Sequence, residues 1–177
     1  MAQTQAISIP TPITVIDQYC RQEADTAALA KHLAACFGRF LTSQSDSHLN
    51  ISLEGDLGAG KTTFARYLIQ ALGHEGKVKS PTYTLCEPYP LQLKDQAIIV
   101  YHFDLYRMRD PLEWQEAGFA EHFDVPGICL IEWPEKAEGT LPRFDIRIQL
   151  SAGSDENERA IKTSGLTESG KTALKEI

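Results

Sequence analysis

The chain has 177 residues, 42% of them hydrophobic, enough for one domain with a substantial core and too few for two ordinary ones. Its 24 acidic against 17 basic side chains leave a net charge of −7, which argues against broad, high-affinity contact with a nucleic-acid backbone. It has no basic-then-apolar leader and no run of about 18 apolar residues, so neither secretion nor a membrane span is expected.

Met1 to Pro12 is polar, small and proline-bearing and is expected to be a loose arm, with a short strand following at Ile13 to Ile16. From Asp25 or Thr26, either suited to cap a helix, apolar residues fall at Leu29, Leu33, Cys36, Phe37, Phe40 and Leu41. That spacing predicts a core-facing helix of about four turns. A polar link, Thr42 to His48, ends it, and Leu49 to Glu54 reads as a strand running into a glycine-rich turn. Beyond the turn, Phe64, Leu68, Ile69, Ala71 and Leu72 keep helical spacing up to Gly73, a C-cap candidate. Lys79 to Leu85 is a hydroxyl-rich, proline-marked loop leading into an extended segment through Tyr89. Ala97 to Leu105 reads as a strand that delivers Asp104 at its C-terminal end. Leu112 to Phe123 is helical in outline, interrupted at Gly118, and Gly127 to Trp133 is an apolar strand ending in Glu132. Near-continuous apolar runs of this kind suit central parallel strands covered on both faces. Phe144 to Leu150 alternates apolar and polar residues as a half-exposed strand does. A charged turn at Ser151 to Glu158, a strand at Arg159 to Lys162 and a short closing helix complete the chain.

The chemistry is concentrated in the glycine-rich turn. Gly55, Gly60, Lys61 and Thr62 satisfy the phosphate-loop spacing G-x-x-x-x-G-K-[ST], with Gly58 as a third glycine. Backbone N–H groups must converge on phosphate oxygens, so side chains are absent where the chain curls closest, and the following helix adds its unpaired N–H groups. Asp56, Leu57, Gly58, Ala59, Gly60, Lys61, Thr62 and Thr63 are therefore the candidate ATP contacts. Lys61 is expected on the β- and γ-phosphates and the Thr62 hydroxyl on Mg²⁺.

The same pattern occurs again at Gly165, Gly170, Lys171 and Thr172. There the residues between the glycines include Glu168, the helix is short, and no later strand can bring an acidic partner, so the first match is the nucleotide site. Glu132 is the candidate magnesium carboxylate, with Glu in place of the more usual Asp, and Asp104 a candidate for orienting water or for metal. Thr82 and Thr84 are candidate γ-phosphate sensors, equally readable as plain turn hydroxyls. His102, Arg107 and Arg109 around Asp104 read either as transition-state charges or as surface pairs. Trp133 and Tyr83 read either as stacking partners of the base or as core aromatics. The cysteines are scattered without C-x-x-C spacing and read as reduced cytoplasmic thiols. No Asn-Lys-x-Asp occurs, so ATP is favoured over GTP.

Four segments together resemble one family. They are Gly55 to Thr63; Lys79-Ser80-Pro81-Thr82-Tyr83-Thr84-Leu85; Tyr101-His102-Phe103-Asp104-Leu105-Tyr106-Arg107; and Glu132-Trp133-Pro134-Glu135-Lys136. Their order and spacing resemble the small bacterial TsaE (YjeE) ATPases over roughly Ala24 to Leu150. With length making residues 1–177 one domain, the resemblance implies an α/β fold, a P-loop NTPase-like three-layer sandwich with a mostly parallel sheet and antiparallel additions. It implies slow ATP hydrolysis in making N6-threonylcarbamoyladenosine on tRNA, with TsaB and TsaD as partners and tRNA met only through that complex. By position, Lys61 and Thr62 match the family's phosphate and magnesium groups, Glu132 its magnesium carboxylate, Asp104 a carboxylate needed for turnover, and Ser80 to Leu85 its switch-like segment. Two other readings stay open: a small-molecule kinase on a similar fold, and a nucleotide-gated binding module without turnover.

Overall fold

The hydrophobic periods become one seven-stranded mixed sheet with helices on it, in a computed structural model that describes residues 14–175. The expected loose arm at Met1 to Pro12 lies outside the described residues. In chain order the strands are β1 (Thr14–Cys20), β2 (His48–Glu54), β3 (Cys86–Leu93), β4 (Gln96–Asp104), β5 (Gly127–Glu132), β6 (Ile146–Ala152) and β7 (Arg159–Gly165). The α-helices are α1 (Glu23–Ser43), α2 (Lys61–Ala71), α3 (Glu113–Glu116) and α4 (Glu168–Ala173).

The sheet order is β1-β7-β6-β2-β5-β4-β3. Its middle, β6-β2-β5-β4, is parallel, while β3 on one side and β7 and β1 on the other run antiparallel to their neighbours. The apolar runs explain the middle: every residue of β5 is buried, and so are Leu49 to Leu53 of β2. Parity along β5 divides the core between the two faces. Ile128 and Leu130 pack with α1 and α2, whereas Cys129 and Ile131 pack with Phe103, Trp114 and Phe123 on the other side. On the first face Leu33, Phe37 and Leu41 of α1 are fully buried, each worth roughly 1.5–3 kcal/mol of apolar transfer. The four cysteines are buried thiols with no disulfide among them. Burial in the apolar core pushes the Cys86 thiol up to about 12.

Several boundaries differ from the sequence expectation for local reasons. The α1 helix starts earlier because Asp25 caps it from inside the first turn, its carboxylate accepting the N–H groups of Arg21 (3.0 Å) and Gln22 (3.3 Å). It also runs on through Ser43, since the Thr42 and Ser43 hydroxyls bond back to the carbonyls of Gly38 (2.8 Å) and Phe40 (2.7 Å), so the expected polar link shortens. At the end of α2 the N–H of Gly73 bonds the Gln70 carbonyl and that of His74 the Ile69 carbonyl, the double bond of a Schellman stop. Leu112 to Phe123 forms only the single turn of α3 and a 3₁₀ turn at Ala120–Asp124, separated at Gly118. Among the described residues no helix is long and apolar enough to cross a membrane.

Candidate functional site

The three parallel strands β2, β5 and β4 end side by side, and register aligns Leu53 with Glu132 and Glu132 with Asp104. Candidate residues far apart in sequence therefore meet at the carboxyl edge of the sheet, where ligands of open α/β folds bind. The chain leaves β2 through the glycine turn. At Gly55 an added Cβ would stand 2.4 Å from the Leu150 carbonyl oxygen, so only glycine fits. Gly60 caps α2 with φ +97, a conformation costly for any other residue there. The turn thus brings the first N–H groups of an 11-residue helix to face the cleft.

Lys61 is buried, and its ammonium donates to the carbonyl oxygens of Gly55 (2.6 Å) and Asp56 (2.9 Å) while lying 4.0 Å from the centre of the Trp133 ring. Burial lowers its pKa below the ordinary 10.5, opposed by Glu132, Glu135, Asp104 and Asp56. Anion affinity at this amine is expected to fall as pH rises through the lowered value, because only the protonated form attracts phosphate and a phosphate-bound lysine would hold its proton longer. Calorimetric titration of ATP from neutral to alkaline pH checks this: the decline begins below the ordinary lysine range, and a flat profile up to that range would contradict it.

The Thr62 hydroxyl donates to Glu132 Oε2 (2.9 Å), and His102 Nε2–H donates to Glu132 Oε1 (2.7 Å). Glu132 is 1% exposed and His102 0%. Asp104, 5% exposed, accepts the N–H of Tyr106 (3.0 Å) and the hydroxyl of Ser80 (3.2 Å), which also meets the Thr82 hydroxyl at 2.7 Å. A cleft of 490 Å³ joins these groups, lined by Lys61, Thr62, Asp104, Glu132, Ser80 and Thr82 among others. Leu57, Gly58, Gly60 and Thr63 also line it. Thr84 is exposed and is not part of that lining. Asp56 lends its carbonyl to Lys61, and Ala59 is a buried spacer in the loop.

Two further residues stand at this site, Arg159, read from the sequence only as the start of a strand, and Ser80, read only as part of the switch-like segment. Arg159, at the start of β7, donates from Nε to the Ala59 carbonyl at 2.8 Å and lines the cleft. Ser80 ties the loop before β3 to Asp104. Nothing local marks Arg159, since its partner is 100 positions away. Of the basic residues around Asp104, His102 faces Glu132, while Arg107 lines the same cleft as Asp104 and lies over the exposed Tyr83 ring at 4.4 Å. Trp133 covers Lys61 rather than filling the core alone.

The second phosphate-loop spacing is built differently. Residues 168–170 are already helical, Gly170 N–H bonds the Thr167 hydroxyl, and a Cβ on Gly170 would stand 1.9 Å from the Asp145 carbonyl oxygen. Lys171 pairs with Glu168 at 3.3 Å. The glycine there serves helix-to-strand packing and forms no open cradle. A larger cavity, 1160 Å³, lies along β1, β7 and β6 and the segment 133–144, touching the phosphate loop at Gly55 and Asp56. Size alone would select it, yet Lys61, Thr62, Asp104 and Glu132 all face the smaller cleft.

Among the described residues no group of three or more His, Cys, Asp and Glu has the geometry of a metal centre. Magnesium in phosphate-loop sites needs no such group, because one or two protein oxygens suffice and substrate phosphates and water complete the shell. The Thr62 hydroxyl against a buried Glu132 carboxylate is a hard-oxygen pair of that kind.

A family model described as "Threonylcarbamoyl adenosine biosynthesis protein TsaE" matches residues 20–161. The chain is 40% identical to the tRNA threonylcarbamoyladenosine biosynthesis protein TsaE of Haemophilus influenzae over 159 residues, 90% of this chain and 95% of that one. It is 42% identical to the protein of the same name from Bacillus subtilis over 109 residues, 61% of this chain and 65% of that one. The crystal structure of Bacillus subtilis YdiB superposes with a TM-score of 0.71 at 29% identity, covering 94% of this chain and 95% of that one.

Proposed function

The chain belongs to the TsaE family, and from that premise we propose that it binds ATP and hydrolyses it slowly as a component required for N6-threonylcarbamoyladenosine modification of tRNA. It acts in the cytoplasm with TsaB and TsaD, and its net charge of −7 leaves tRNA to be held through those partners. In the same reading the described residues 14–175 belong to one domain, a P-loop NTPase-like three-layer sandwich. The observation that carries the reading is the convergence of Lys61, Thr62, Glu132 and Asp104 on one cleft at the ends of β2, β5 and β4.

In this reading the N–H groups of Gly58 to Thr63 hold the phosphates. Lys61 exchanges the Gly55 and Asp56 carbonyls for the more negative β- and γ-oxygens, and the Trp133 ring over it keeps water from competing. Thr62 and Glu132 would hold magnesium, which when bound would neutralise phosphate charge. Asp104, fixed by Tyr106 and Ser80, accepts a proton from the attacking water's hydrogen-bonded O–H or orients that water in line. Ser80 and Thr82 join the loop at 79–85 to Asp104, so a partner that moves this loop changes turnover.

Phosphate release with and without TsaB and TsaD tests the function. Release stimulated by the partners supports it, phosphate appearing on a small acceptor supports a kinase, and no release under any condition supports a binding module. Within the site, Asp104→Asn is expected to leave ATP affinity within about threefold of the unsubstituted protein and to lower turnover ~10²-fold or more. Unchanged turnover in that variant would count against Asp104.

A further inference from the structure

We infer that His102 is a positioning residue for Glu132, clamping one carboxylate oxygen so that the other stays aimed at Thr62 and the metal. This rests on the magnesium reading above and adds a residue to which that reading assigns no role. Cα register sets His102 opposite Leu130, two residues before Glu132, so the imidazole reaches diagonally along the sheet to the carboxylate. His102 Nε2–H meets Glu132 Oε1 at 2.7 Å while Thr62 meets Oε2 at 2.9 Å, so each oxygen has its own anchor, on β4 and on α2.

The other ring nitrogen shows what the histidine is for. His102 Nδ1 is buried and has no hydrogen-bond partner among the described residues. A leucine at this fully buried strand position would fill similar space and carry no polar atom of its own to leave unpaired. What leucine cannot do is donate to Glu132. A glutamate also carries one more rotatable bond than the aspartate commonly found at the end of such a strand, so its carboxylate needs a second contact to stay in one place. Residues that orient a metal ligand in this way change metal affinity by ~10- to 100-fold when removed.

The test uses the full chain with Mn²⁺ in place of magnesium, a non-hydrolysable ATP analogue, and electron paramagnetic resonance to count free Mn²⁺. His102→Leu is expected to weaken Mn²⁺ binding ~10-fold or more, with analogue affinity in EDTA unchanged. His102→Gln carries an amide N–H that reaches where Nε2 does, and it is expected to restore most of the affinity. His102→Asn, whose amide stops short of Glu132, is expected to behave like His102→Leu and supplies the contrast if the leucine variant folds poorly. Mn²⁺ affinity in His102→Leu and His102→Asn equal to that of the unsubstituted protein overturns the inference. So does a glutamine variant as weak as the asparagine variant, or an equal loss of analogue affinity in EDTA. Failure of the unsubstituted protein to bind Mn²⁺ with the analogue overturns the magnesium reading itself, and the positioning role with it.

Discussion

Lys61→Ala is expected to abolish measurable ATP binding and to lower hydrolysis ~10²- to 10³-fold, the range seen when one preorganised charge-stabilising donor is removed. The ammonium donates to the carbonyls of Gly55 and Asp56, inside the phosphate turn itself. Removing it leaves two carbonyls without that donor, at a cost of about 1 kcal/mol for each net hydrogen bond, which a domain with this core tolerates. Circular dichroism melting should therefore show a folded protein with a modestly lower midpoint. Lys171→Ala is the matched control and is expected to bind ATP normally, since Lys171 belongs to α4 and pairs with Glu168. Lost binding in Lys171→Ala with binding kept in Lys61→Ala would reverse the assignment of the two loops.

Glu132→Gln is expected to remove magnesium-dependent hydrolysis, with turnover down ~10²-fold or more, while the fold is kept. The amide occupies the same space and can still meet both Thr62 and His102, so what is lost is the negative charge. Glu132→Ala is harder to interpret. It empties a position 1% exposed and leaves the His102 Nε2–H without its acceptor, a penalty of about 1–3 kcal/mol that appears in stability as well as in catalysis. Magnesium titration of phosphate release separates the two effects: the glutamine variant should show wild-type melting and no response to magnesium. A normal magnesium response in that variant would remove Glu132 from the metal site.

How much of this was legible in advance depended on the kind of feature. The glycine turn was, because a phosphate cradle is built from consecutive backbone groups whose spacing is written directly in residues 55–63. The apolar runs at 97–105 and 127–133 predicted strands that end in Asp104 and Glu132, and both strands form. The helical break at Gly118 was also visible, although the segment around it winds into shorter turns than its periodicity suggests. In the C-terminal region the periodicity marked strands and a helix without revealing that β7 carries Arg159 back to the phosphate turn.

The sequence by itself determined the local chemistry: a strand, a glycine turn that only glycine can make, a lysine and a threonine on the first turn of a helix, and two later carboxylates. Which carboxylate oxygen meets Thr62, that His102 holds the other, that Trp133 covers Lys61 and that Arg159 grips Ala59 were decided only by the tertiary structure. Hydrophobic periodicity records which residues face a core, but strand order and register arise from packing between segments 30 to 100 positions apart. The same reason separates the two phosphate-loop spacings. Gly60 borders an open cleft, while Gly170, at the same place in the second spacing, is pressed against the Asp145 carbonyl, and no count of intervening residues distinguishes a cradle from a packing contact.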